Sequence, residues 1–473
     1  MSRMELATLS ARRMIEGYAK GLFTPVEIAR AVLEAIGDDA FNAFVFLGRD
    51  DFLRDAQASA ERWSRHSPIG ALDGVPVSIK DLVTVKDWPI RRGSLLSAGE
   101  PSPGDAPCVS HLRASGALLL GKTATTEMGC AIHGDSPVHG RSLNPLDASL
   151  SIGGSSCGAA AQLAAGWGPL ALGSDAGGSV RIPASYAGLV AFKPSFGQIP
   201  MGPASAFAEF AHLGPMGRSV GDLALAMQVL GQPDVRDPSS LFWRAWLQAS
   251  AVRGVPLRIG YCLQIGADLG AGLDEAVAPA MQALVTRLQG RSWRGQPLEL
   301  VPVDLGGLDV GDALWQTWCS RVLESCLHLD EAQIECLGPD LRRQRLQGLE
   351  QTGLQLAAAR RVLREGAQQL HQLFCGLDLL LTPSTPGVAP PAGDFVHDSH
   401  PRAGELRTSG NWLTATPFSH PFNLTQQPAL GLPWGLNRQG LPFGLQLVGR
   451  RHADAQVLSF GMALEGWLKE SDS

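Results

Sequence analysis

Three short stretches hold side chains that could make or break a covalent bond. Gly153-Gly154-Ser155-Ser156-Cys157-Gly158 sets two hydroxyls in a glycine-rich turn. Asp175-Ala176-Gly177-Gly178-Ser179-Val180-Arg181 puts a third hydroxyl behind two glycines. Gly74-Val75-Pro76-Val77-Ser78-Ile79-Lys80 brings an amine to the end of an apolar run. A serine hydroxyl is a weak nucleophile until a neighbour takes its proton. Lysine can take it only when neutral, and desolvation favours the neutral form. Val75, Val77, Ile79 and Leu82 supply an apolar setting for Lys80. Asp81 is adjacent, but alternation along a strand turns it to the opposite face.

These residues admit several chemistries. Gly116 to Thr123 fits the phosphate-loop pattern G-x-x-x-x-G-K-[ST]. Its four middle residues are Ala and three Leu, which read as the strand itself and not as the loop after it. Gly154-Ser155-Ser156-Cys157-Gly158 fits the nucleophile elbow G-x-S-x-G, with Ser156 as nucleophile. The stretch before it, Ala148 to Ile152, is a weak strand, and the downstream His420 and His452 sit in uninformative contexts. A tight turn without chemistry is a third reading. The 11 histidines show no HxxxH or HExxH spacing, so no metal site is expected. His133 and His139 read as loop residues, with pocket lining as the alternative.

The positioning elements follow from pattern. Residues 74–80 read as a short strand, 117–120 as a buried strand and 169–174 as another. Residues 156–165 read as a tightly packed helix with four small residues in its middle. Thr24-Pro25-Val26-Glu27 is a capping box with Pro at the first helical position. Residues 377–383 and 443–448 are further buried strands. Strands alternating with helices predict an α/β fold, a mixed, twisted β-sheet covered by helices on both faces. Residues 233–370 carry Trp243, Trp246, Trp293, Trp315 and Trp318 and Leu/Arg/Gln-rich stretches. They read as a variable, mostly helical insertion in a single domain spanning 1–473. Ordinary scaffold is its expected role, and a lid over a substrate pocket is the alternative.

Composition sets the outer limits. With 45% hydrophobic and 18% charged residues the chain is globular and not disordered. The net charge of −6 and the lack of a basic run argue against nucleic acid. No secretory h-region or membrane span is evident, so a cytoplasmic setting is expected. The eight cysteines are scattered without a CxxC pair and read as reduced thiols.

The run from Gly153 to Lys193-Pro194 closely resembles the signature of the amidase-signature family, the Ser-cisSer-Lys amidohydrolases. Other motifs fall in family order: Gly74 to Asp81, Gly121-Lys122-Thr123 with Glu127, Asn144-Pro145, and Gly214-Pro215-Met216. Asn423-Leu424-Thr425 with Pro428 follows, then Gly440 to Gln446. The likeness spans roughly residues 5–235 and 375–465 and is weak between them. Four positions depart from the usual pattern. Ala124 stands for a frequent Asn and Met128 for a frequent aromatic, while Cys157 and Gln426 each replace a Gly. Ala124 and Met128 bear on substrate preference.

The resemblance implies a relay with Ser179 as nucleophile, Ser155 as proton shuttle and Lys80 as base. It implies that Ala176, Gly177 and Gly178 form the oxyanion hole, where backbone N–H groups face developing charge. Ser156 is expected as a helix cap or supporting donor, and Asp175 and Arg181 as residues that fix the loop. The expected activity is hydrolysis of amide-type C–N bonds of a small-molecule substrate, extending to carbamates or esters, without cofactor. The rival within the family is the glutaminase subunit of a tRNA-dependent amidotransferase. A homodimer is the one assembly left open.

Overall fold

The computed structural model describes residues 1–240, 255–266, 272–398 and 400–470. Its first strands are β1 (Phe44–Leu47), β2 (Pro76–Lys80) and β3 (Leu118–Thr123), followed by a hairpin of β4 (Asp135–Ser136) and β5 (Gly140–Arg141). Next come β6 (Leu170–Asp175), β7 (Val190–Lys193), β8 (His212–Gly217), β9 (Leu257–Tyr261), β10 (Ser292–Trp293) and β11 (Gln296–Pro302). The last are β12 (Leu379–Pro383), β13 (Ala429–Leu436) and β14 (Pro442–Gly449). Twelve of them form one sheet in the order β1-β3-β2-β6-β8-β7-β13-β14-β12-β9-β11-β10. β2 is parallel to β3 and β6, and β9 is parallel to β11 and β12. The other pairings are antiparallel, so the sheet is mixed as expected.

Side-chain alternation explains how the sheet is covered. Leu119, Leu170, Leu172, Leu379 and Leu381 enter one core with the helices Val220–Leu230, Val277–Leu288 and Asp454–Lys469. Their neighbours Leu118, Leu120 and Ala171 face a second core with the helices Pro25–Ile36 and Cys157–Ala164. Leu380, Ala429 and Val448 face a third with the helix Gly311–Ser325. Both faces are therefore apolar, and helices cover both. The Thr24–Glu27 capping box forms as predicted.

Segment 233–370 departs from expectation. β9 and β11 lie inside it and extend the main sheet beyond β12. Its strands are short, and β11 is largely half-buried or exposed, so their two-residue period was lost beside long Leu/Arg/Gln-rich helices. The helix Val277–Leu288 lies between β9 and β10, and a longer helical stretch runs from Gly311–Ser325 through Pro339–Leu349 to Gly353–Gly376. Trp315 and Trp318 sit on Gly311–Ser325, where Trp318 stacks on Phe207 at 4.0 Å between ring centres. Trp243 and Trp246 lie outside the described residues.

Candidate active site

Lys80 ends β2. Val77 and Ile79 point into one core, which leaves Ser78 and Lys80 on the other face. There Ser78 donates to Gln162 on the helix Cys157–Ala164. That helix can lie close because its residues are small. A Cβ on Gly158 would come within 2.2 Å of the Ala43 carbonyl oxygen. Lys80 is fully buried. Its Nζ donates to Ser155 Oγ at 2.7 Å and to Ser156 Oγ at 2.9 Å. Among the described residues no carboxylate forms an ion pair with it. Burial lowers its pKa from 10.5 to about 7. Asp81 faces away, as alternation requires, and its Oδ1 lies 3.1 Å from Lys122 Nζ. Lys122 also donates to the Val83 carbonyl. The phosphate-loop reading therefore fails: Lys122 is a buried strand residue already engaged.

Ser179 follows β6, which lies beside β2. The two strands are parallel, so Lys80 and the Ser179 loop emerge at the same carboxyl ends, where open α/β sheets bind ligands. Ser156 N–H donates to the Ser179 carbonyl at 3.1 Å, which fixes the two serine loops to each other. Ser155 and Ser179 line one cavity, although their hydroxyls are not hydrogen-bonded to each other. The Gly154–Ser155 peptide is cis. Ser156 occupies the N-cap position of its helix, but its side chain makes no capping bond. Of the two roles expected for Ser156 the cap is not formed; its Oγ accepts from Lys80 and donates to the Ser174 carbonyl at 3.4 Å.

Asp175 and Arg181 are fully buried and bidentate, at 3.0 and 2.8 Å. Arg181 also donates to the Ser419 carbonyl, Gln446 Oε1 and Asn423 Oδ1, so all five of its donors are used. Burial pushes the Asp175 carboxyl up, but the Arg181 charge and hydrogen bonds from Arg181 and Asn423 outweigh it and hold it well below the usual carboxylate range. Asp175 Oδ1 also accepts from Gly178 N–H at 2.8 Å. Gly178 is thus not a free donor, which corrects the three-residue oxyanion expectation. Among the described residues, the N–H groups of Ala176, Gly177 and Ser179 meet no protein acceptor. Short-range capture of an N–H by an Asp three residues earlier is ordinary turn chemistry and was the available clue.

The cavity holding Ser155 and Ser179 measures about 500 Å³. Leu82, Met128, Phe207 and Leu213 line it from the first half of the chain, and Cys326, Leu329 and Leu337 from the helical segment. Part of that segment therefore lines the pocket that holds Ser155 and Ser179. Glu127 anchors the wall: it accepts from Ser94 Oγ at 2.7 Å and from Gly338 N–H at 2.8 Å. Among the described residues no group of three or more His, Cys, Asp or Glu could hold a metal ion, and no helix is long and apolar enough to cross a membrane.

The family model for amidases matches residues 27–458. The chain belongs to the amidase family. It is 31% identical to an acylamidase of Rhodococcus erythropolis over 97% of this chain and 95% of that protein. It is also 31% identical to a glutamyl-tRNA(Gln) amidotransferase subunit from Symbiobacterium thermophilum, over 98% of each. A solved amidase structure superposes with a TM-score of 0.82 at 29% identity, covering 97% of this chain and 99% of that one. The protein is an amidohydrolase acting on C–N bonds.

Within this amidase the four departures fall in different places. Met128 lines the cavity, but Ala124 does not. Ala124 is buried against the start of the helix Cys157–Ala164, its carbonyl accepting from Gly158 N–H. Its bearing on substrate preference is therefore indirect. Cys157 is buried in the same contact. Gln426 adopts φ 60°, which accounts for the glycine that the usual pattern has there. The histidines stay outside the cavity that holds the serines, except His328. His420 is buried against the Thr416 carbonyl, and the His452 N–H donates to Ser195. His133 pairs with Asp340 at 2.6 Å and lines a neighbouring cavity, not the one that holds the serines; His139 lines neither.

Proposed function

We propose that this amidase works as a freestanding hydrolase of linear amides, through an acyl-enzyme on Ser179. The observation that supports it is Lys80: buried, without a carboxylate partner, lowered to a pKa of about 7, and 2.7 Å from Ser155. Ser179 Oγ attacks the carbonyl carbon as its proton passes to Ser155, whose own proton passes to Lys80. The oxygen charge that develops is met by the N–H groups of Ala176, Gly177 and Ser179, each worth a few kcal/mol in such sites. Lys80 returns the proton through Ser155 to the nitrogen, the C–N bond breaks and the amine leaves. Water then adds to the acyl-enzyme by the same relay and the acid departs. The Ser155–Ser179 bond closes when substrate binds, as catalytic hydrogen bonds often do. Carbamates and esters meet the same geometry.

The likeness to amidotransferase subunits favours a second reading, a glutaminase that hands ammonia to a partner. The purified chain separates the two. As a freestanding enzyme it hydrolyses anilides alone, and kcat/KM falls about tenfold per pH unit below pH 7 as Lys80 gains its proton. A profile flat to pH 5 removes Lys80 from the role of base. Hydrolysis that appears only with an added partner supports the glutaminase.

A further inference from the structure

The rim of the cavity carries two arginines whose guanidinium groups have no partner among the described residues. Arg91 and Arg92 both line the cavity and are exposed. Among the described residues neither guanidinium forms an ion pair or hydrogen bond. Their backbone, in contrast, is held firmly. Both N–H groups donate to Asp81 Oδ2, at 3.1 and 2.9 Å, and Asp81 directly follows Lys80. The Arg92 carbonyl accepts from Met128 N–H at 2.8 Å, tying the turn to the cavity wall. A Cβ on Gly99 would come within 2.8 Å of Arg91 Nε, so a small residue there leaves room for the side chain.

Arg92 also adopts φ 54°, a left-handed backbone that glycine takes without steric cost and arginine does not. A residue kept in such a conformation, with a side chain idle inside the protein, points to a role outside it. The rest of the lining leaves their charge unanswered. The lining carboxylate is Asp175, and Arg181 already neutralises it. Leu96, Met128, Phe207, Leu329 and Leu337 make most of the remaining wall apolar.

We propose that Arg91 and Arg92 are specificity-determining residues that select amides bearing a carboxylate at the end of an apolar acyl or amine group. The apolar wall takes the body of such a substrate, the serine end takes the amide, and the guanidinium forks take the carboxylate. The proposal rests on the Ser179 reading only for where the scissile bond lies.

Binding to Ser179→Ala protein tests recognition with the chemistry off. Two matched pairs serve as probes: 4-(hexanoylamino)benzoate against hexanoic 4-methylanilide, and the mono-4-methylanilide of hexanedioate against the same neutral anilide. At least one carboxylate is expected to bind tenfold or more tightly than its neutral partner, with the ratio shrinking as salt rises. R91Q/R92Q added to Ser179→Ala should bring the ratio close to one. Arg92→Gly suits the left-handed backbone, so a reduced ratio with an undiminished Tm cannot come from misfolding. Equal binding within both pairs, or a preference that survives R91Q/R92Q, overturns the proposal. Wild-type kinetics on the same probes separates the two readings. A carboxylate preference in Ser179→Ala without turnover by the wild type sinks the Ser179 chemistry and leaves the arginines standing. Turnover of both members at equal kcat/KM does the reverse.

Discussion

Two buried charged groups sit where neighbouring strands end, and they are treated in opposite ways. Arg181 has a carboxylate, two side-chain amides and a backbone carbonyl, with every donor engaged. Among the described residues Lys80 has two hydroxyl partners and forms no ion pair. A buried charge costs several kcal/mol unless paired. The first group therefore holds a loop in place. The second gives up its charge near neutral pH and can accept a proton. Full satisfaction marks the scaffold here, and incomplete satisfaction marks the group proposed as the base.

Lys80→Met should break the comparison most sharply. It is expected to lower kcat/KM for amides by about 10⁴-fold, the upper end for a general base, while raising Tm by roughly 2–5 °C. The sign follows from the lowered pKa, from 10.5 to about 7. Between those pH values the unfolded chain holds a proton that the folded chain lacks, so stability from this group rises with pH across that window. At pH 7 and below, folding buries an ammonium. The gain in Tm should thus be largest near pH 6 and fade toward pH 10. Thermal melts of the variant across that range check it; a variant less stable than wild type at pH 6 would make Lys80 a structural residue.

Arg181→Met should do the opposite. It strands the Asp175 carboxylate and should cost about 3–5 kcal/mol in denaturant unfolding. Asp175→Asn added to it should recover part of that loss, because a neutral amide tolerates burial better. An Arg181 variant of unchanged stability would mean that water replaces the guanidinium.

Ser156→Ala gives the smallest effect. Lys80 loses one of its two acceptors, and kcat/KM should fall roughly tenfold, the worth of one hydrogen bond to a charged group. The ammonium loses more than the amine does, so the acid limb of the rate profile should move to lower pH. A pH–rate profile unchanged in both height and midpoint would make Ser156 a bystander.

The stretches that meet around Lys80 were legible because few residue types suit such a junction. Gly158 must let a helix touch backbone, and the apolar neighbours of Lys80 had to desolvate it; both constraints are local. The partners of Arg181 were not legible, because Asn423 and Gln446 meet it only through the order β6-β8-β7-β13-β14. Gly178 was misjudged because composition reveals how many N–H groups a loop has, not which one a nearby carboxylate captures. β9 and β11 were missed because five- and seven-residue strands carry little period beside a 24-residue helix. The cavity wall at Cys326–Leu337 escaped because pocket walls are defined by shape, which no motif encodes.

The route by which Arg181 is satisfied also sets when this chain can act during its own synthesis. Arg181 and Gln446 are 265 positions apart. At ribosomal speeds of about 5–20 residues per second, Ser155 and Ser179 leave the ribosome many seconds before the residues that clamp their loop. Until then Arg181 lacks Asn423 and Gln446, and the loop from Asp175 to Arg181 lacks those two anchors. On the proposed chemistry, a nascent amidase should stay silent until Gln446 has emerged, and truncated translation products should carry both serines yet hydrolyse nothing.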